Sequence, residues 1–209
     1  MDARSTASAH ARATRVRNVR LSLGANLVGA LITFLYFSFV DNLGTASEPR
    51  PGPAEIAYFT EMEGVIRKHG GLVLQFIGDE IEAVFGAPVA APDHATMAVR
   101  AAMEMRERLA AWNEQRRAAG ESAFRHGVGI HTGTVLAGNI GSPEPMSYLL
   151  VGDPVNLASR IQGLNKDVGS DILLSGSTRS RLRGDFPLVA VPARRVKGKS
   201  MEVEVWQLR

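Results

Sequence analysis

No cysteine occurs among the 209 residues. That removes disulfide scaffolds, thiolate zinc sites, iron–sulfur clusters and thiol nucleophiles, and it fits a folded part kept in a reducing compartment. Aromatic residues are scarce at 6%, too few for a surface that reads RNA by stacking bases. An excess of basic charge is lacking beyond the first twenty residues. The net charge is +3, and Arg4, Arg12, Arg15, Arg17 and Arg20 stand against Asp2 in that leading arm, so the rest of the chain is slightly acidic. A body of that balance lacks the cationic face that neutralises phosphate backbones, and no nucleic-acid partner is expected. His10, His69, His94, His126 and His131 show no zinc-type spacing, and no Gly-x-Ser-x-Gly elbow is present, so metalloprotease and serine-hydrolase readings lose support.

Charge is missing altogether from residues 21–40 (LSLGANLVGALITFLYFSFV), which Arg20 and Asp41 bracket. Twenty helical residues at ~1.5 Å each span ~30 Å, the thickness of a bilayer core, so the run reads as one transmembrane helix behind a basic cytosolic arm, residues 1–20. Its β-branched and aromatic end, TFLYFSFV, also reads as a strand. Residues 41–53 (DNLGTASEPRPGP) are rich in Pro, Gly and Ser and read as a linker. The folded domain is expected over 54–209.

Within that domain Ile56, Phe59, Met62, Val65 and Ile66 recur at helical spacing up to Gly70-Gly71. LVLQFI (72–77) and IEAVF (81–85), joined by Gly78-Asp79-Glu80, predict a hairpin. Asp93 is a candidate cap for a second helix with Ala98, Ala101, Ala102, Met105, Leu109 and Trp112 along one stripe. VGIHTG (128–133), TVLAGNIG (134–141) and SYLLVG (147–152) read as strands, Asp153 to Leu164 as a helix with Asp153 as N-cap and Pro154 at its first helical position, and 171–175, 188–191 and 202–208 as closing strands. Helices alternating with hairpins predict an α+β sandwich with the helices on one sheet face.

Three groups of residues could carry chemistry. Asp79 sits at a hairpin tip beside Gly78, where backbone can approach a phosphate and a carboxylate can hold Mg²⁺, although a Gly-Asp pair is also an ordinary turn. Asn156 and Arg160 are spaced i, i+4, so a helix aims an amide and a guanidinium at one place, which suits charge developing on phosphoryl oxygens and equally suits a solvated face. Lys197 and Lys199 in VKGKS (196–200) can reach phosphates, but a P-loop needs glycine where Ala193 stands.

FIGDEIEAVFGAP (76–88), GVGIHTGTVLAGNIG (127–141), YLLVGDPVNLASRIQGL (148–164) and VKGKSMEVEVWQL (196–208), in this order, resemble the catalytic domain of class III adenylate and guanylate cyclases. The resemblance implies a ferredoxin-like α+β core and a homodimer with shared active sites. It implies Mg²⁺ (or Mn²⁺) as cofactor and conversion of ATP, ahead of GTP, to 3′,5′-cyclic AMP and pyrophosphate. By this likeness Asn156 orients the ribose, Arg160 stabilises the transition state and Asp79 holds metal. Lys197 binds triphosphate, Ile77 and Gly78 contact the substrate, and Gln75 and Leu149 stand at the base-reading positions.

Two departures matter. Gln75 replaces the lysine of many relatives, and Leu149, which has no hydrogen-bonding side chain, replaces aspartate or threonine. The family's first-strand pattern, like F-x-D-I-x-G-F-T, has no close copy; FVDNLGTASE (39–48) offers Asp41 as the other metal aspartate only with gaps. That match also makes TFLYFSFV the first strand, in competition with the membrane helix. With 21–40 as the span, the domain lacks a central strand and the protein is expected at a membrane through that segment. Its catalytic part belongs in the cytoplasm with ATP, although the arginine-rich arm alone favours a cytosolic amino end. A catalytically degraded homologue, serving as a nucleotide-binding or dimerisation module, is the alternative function.

Overall fold

The computed structural model describes residues 28–39, 52–140, 147–194 and 203–209. Val28–Phe39 form strand β1. Helix α1 (Pro53–Lys68), strands β2 (Leu72–Ile77) and β3 (Glu80–Phe85), helix α2 (His94–Ala118) and strand β4 (His126–Ile140) follow. The chain continues through β5 (Ser147–Val151), α3 (Asp153–Val168), β6 (Ile172–Ser175), the one-turn helix α4 (Gly176–Arg179), β7 (Leu188–Arg194) and β8 (Val203–Leu208).

The sheet runs β2-β3-β1-β4-β6-β8-β7, with β5 paired to β4. Its first half, built as β1-α1-β2-β3-α2-β4 with β1 antiparallel to both neighbours, is the expected ferredoxin-like arrangement.

The membrane helix expected over residues 21–40 is not what the described part of that run forms. Val28–Phe39 do not form a helix; the segment is the central strand, paired with β3 over Thr33 to Ser38 and with β4 along all twelve residues. Among the described residues no helix is long and apolar enough to cross a membrane. A single-span membrane location therefore has no support. The physical reason is that a strand in the middle of a sheet with helices on both faces is apolar without alternation, so its sequence looks like that of a buried helix.

Helices α1 and α2 cover one face. Tyr58, Met62 and Ile66 from α1 pack with Ala98, Ala102, Met105 and Leu109 from α2 against Ile81, Ala83 and Phe85 of β3 and Val128 and Ile130 of β4. Helix α3 covers the other face, where Val84, Val135 and Ala158 meet and Leu157, Ile161, Leu173 and Val205 form a second apolar layer. The helices thus lie on both faces and not on one as expected, because the sheet is apolar on its second face too and Gly129 lets α3 pack close against it. Asp93 stands at the α2 N-cap but makes no side-chain cap bond, and Gly152 rather than Asp153 takes the N-cap of α3. VGIHTG and TVLAGNIG are one fifteen-residue strand, not two.

One buried pair gives the fold a pH dependence. The Tyr58 hydroxyl, which burial keeps protonated, bonds Nδ1 of His126 at 2.5 Å. Burial pushes the imidazole down to about 4 from 6.5; the Asp171 carboxylate opposes this and the Arg106 guanidinium adds to it. The unfolded chain thus binds a proton that the folded chain refuses between those two values, and the contribution of this pair to stability falls as pH drops from 6.5 to 4 and is flat on either side. At ~1.36 kcal/mol per unit the loss is about 3 kcal/mol. Urea denaturation at intervals between pH 8 and 4 should show this slope, and His126→Gln should make it shallower by that amount, leaving the part due to His94, whose imidazole burial also pushes down; equal slopes in both proteins would exclude His126 as a cause.

Candidate active site

The β2–β3 hairpin places the first group of residues. Its turn is Gly78-Asp79, and Gly78 has φ +61°, a left-handed conformation that glycine adopts without strain. Ser38 of β1 lies opposite Glu80 and Phe39 opposite His126, so the carboxyl end of β1 arrives beside the turn that carries Asp79. Asp79 itself is half-buried. Asp41 lies outside the described residues, two positions beyond the end of β1.

Side-chain alternation sorts the hairpin between the two faces. Ile81, Ala83 and Phe85 belong to the α1/α2 core, and the Phe76 ring meets Phe59 of α1 at 6.0 Å between centroids. Gln75, Ile77, Glu82 and Val84 therefore take the α3 face. Gln75 and Glu82 are cross-strand partners, and Nε2 of Gln75 donates to the Glu82 carboxylate at 2.8 Å. Glu82 is only 5% exposed, whereas Ile77 beside the pair is 44% exposed. An apolar platform thus adjoins a polar edge on the same face.

Helix α3 holds the second group. It buries Leu157, Ala158, Ile161, Gln162 and Asn165 against the sheet, which turns Asn156 and Arg160 outward on one shared face. The alternating glycines of β4 permit this packing. A Cβ on Gly129 would lie 2.3 Å from the Gln162 backbone nitrogen and 2.4 Å from the Ala158 carbonyl oxygen, so helix and strand touch through bare backbone. Asn165 closes the far end, donating from Nδ2 to the Val128 carbonyl.

The two groups are not brought together within one chain. From β3 through β1 to β4 is two strand spacings, about 10 Å. Asn156 and Arg160 lie further off still, on the side of α3 that faces away from the sheet. Leu149 sits on β5 opposite Gly138 of β4, and Lys197 lies outside the described residues. Sequence reasoning missed two contributors, Glu82 and Gly129. Their signals were a lone acid inside the apolar strand IEAVF and the period-two glycines of HGVGIHTG.

Comparison with known proteins places these features in a family. The model of the adenylate and guanylate cyclase catalytic domain matches residues 55–209. Adenylate cyclase 1 of Rhizobium meliloti (strain 1021) is 36% identical over 177 residues, covering 82% of this chain and 26% of that protein. The adenylate cyclase of Anabaena cylindrica is 31% identical over 159 residues, covering 73% and 31%. The chain thus spans about a quarter to a third of the length of these curated relatives. Among solved structures, the adenylyl cyclase CyaB from P. aeruginosa superposes with a TM-score of 0.75 at 28% identity, over 87% of this chain and 95% of that one. The guanylyl cyclase Cya2 superposes at 0.70 with 31% identity, over 87% and 94%. With the family model matching through both the hairpin and the α3 residues, this chain belongs to the adenylate and guanylate cyclase catalytic domain family.

Proposed function

We propose that the chain is a nucleotide cyclase that converts ATP to 3′,5′-cyclic AMP and pyrophosphate in a site shared between two copies. The observation that carries the reading is the separation of the Asp79 hairpin from the Asn156 and Arg160 face of α3, which a second copy in the reverse orientation would reunite. In the reaction the ribose 3′ oxygen forms a bond to the α-phosphorus as the bond to the β-phosphate bridging oxygen breaks. The hydroxyl proton passes to solvent, and pyrophosphate leaves. Ile77 offers the base an apolar seat and Gln75 meets its edge. The Gly78-Asp79 turn lies toward the phosphates, where Lys197 supplies a further charge. Asn156 orients the ribose, and Arg160 opposes charge that builds on phosphoryl oxygens in the transition state.

The donor set fits Mg²⁺ or Mn²⁺, since such an ion takes one or two carboxylates and completes its shell with phosphate and water. Asp79 is one such carboxylate, and Asp41, following the strand end beside it, is proposed as the second. When bound, the ion supplies neutralisation of the triphosphate and polarisation of its oxygens. One observation favours the alternative of a non-catalytic module: β1 itself contains no carboxylate.

Purified chain incubated with Mg²⁺ or Mn²⁺ and ATP should yield cyclic AMP, at a specific activity that rises with protein concentration as copies associate. No cyclic nucleotide from either ATP or GTP, with nucleotide binding retained, would replace the cyclase reading with the module.

A further inference from the structure

We propose that Glu82 is a positioning residue for purine specificity: it pins Nε2 of Gln75, leaves the amide carbonyl to meet the base, and so favours a 6-aminopurine triphosphate over a 6-oxopurine one. The inference rests on the cyclase reading, in which Gln75 lies at the base edge.

Glu82 is 95% removed from solvent by its 5% exposure, in a strand whose other members are apolar apart from Glu80 at the turn. Among the described residues no lysine, arginine or histidine pairs with it; its partner is the Gln75 amide at 2.8 Å. A carboxylate taken from water for one neutral hydrogen bond costs stability, so a strand built for packing alone would carry an apolar residue there. What the carboxylate does supply is direction. It has only acceptors, so Gln75 must offer its nitrogen, and the carbonyl is turned the other way.

An unpinned glutamine turns over about its last side-chain bond at little cost and presents donor and acceptor in either order. It would read the two purines alike. Pinned, it keeps the carbonyl toward the ring's 6-position. The amine of adenine donates to that oxygen, and the remaining Nε2 hydrogen is left for the adjacent ring nitrogen. The O6 of guanine would instead face a carbonyl, with two acceptors opposed and both stripped of water. Leu149 offers no side-chain donor to relieve this. Discrimination therefore depends on one amide whose orientation is set from beneath.

The test compares kcat/KM for ATP and GTP in the full chain with calorimetric binding of 3′-deoxy-ATP and 3′-deoxy-GTP, which lack the attacking hydroxyl. The parent should favour the adenine nucleotide by about tenfold or more, the scale of one bidentate amide contact. Glu82→Gln, whose side chain can donate or accept, should bring the ratio to within about twofold of unity while kcat for ATP changes less than threefold. In a Gln75→Ala background, Glu82→Gln should leave the ratio unmoved, a coupling that a purely structural role would not produce. Should Glu82→Gln fail to fold, the exposed Gln75→Ala carries the test alone, and a ratio it leaves intact overturns the assignment. An unchanged ratio in Glu82→Gln, or equal losses for both nucleotides, also overturns it and leaves the cyclase reading standing. A parent that binds neither analogue overturns both.

Discussion

Asp79→Asn and Arg160→Ala should each abolish most cyclase activity alone and restore part of it when the two proteins are mixed. Arg160 stands on the outward face of α3, where a guanidinium contributes chiefly once charge builds on the phosphoryl oxygens. Its loss should lower kcat by about 10²–10³-fold, the scale of a lost oxyanion donor, with a smaller change in KM. Asp79→Asn keeps the size of the side chain and removes the charge that the metal requires. A loss at least as large is expected, without loss of fold, because the hairpin turn is set by Gly78 and the β2–β3 pairing. In a mixed dimer one of the two shared sites collects both defects and the other collects neither. Co-expression at equal levels should therefore recover about a quarter of parental activity, from half the dimers being mixed with one intact site each. No recovery from two folded, individually inactive variants of an active parent would show that each chain works alone.

Gly129→Ala should be nearly as damaging, although Gly129 is not proposed to touch substrate. The added methyl meets two backbone atoms of α3 at 2.3 and 2.4 Å, and neither can rotate away as a side chain could. Relief requires the helix to lift by roughly 1 Å, and a displacement of that size in catalytic groups can cost about 10²-fold in rate. Overpacking should also lower stability by about 1–3 kcal/mol. Gly64→Ala is the matched control. It lies on the exposed side of α1 with nothing within 4 Å of the added carbon, so stability should rise by up to about 1 kcal/mol. The check is a pair of urea melts beside initial rates at saturating ATP. A fully active Gly129→Ala protein would mean that α3 adjusts without moving Asn156 and Arg160.

The sequence by itself determined what depends on neighbours in the chain. Gly78-Asp79 between two apolar runs makes a hairpin tip because turn chemistry is local. The i, i+4 spacing puts Asn156 and Arg160 on one side of a helix because the helical repeat is local too. The stripe of Ala98, Ala102, Met105 and Leu109 likewise became the core face of α2. Only the tertiary structure decided the rest. An apolar run such as Val28–Phe39 has no period that separates strand from helix, and its hydrogen bonds come from β3 and β4, more than forty residues downstream in the chain. The division of the hairpin between the two sheet faces, the Glu82 carboxylate beneath Gln75, and the distance from Asp79 to α3 likewise follow from which strands lie side by side. Strand pairing is chosen by the joint burial of segments distant in sequence, so no window along the chain contains it.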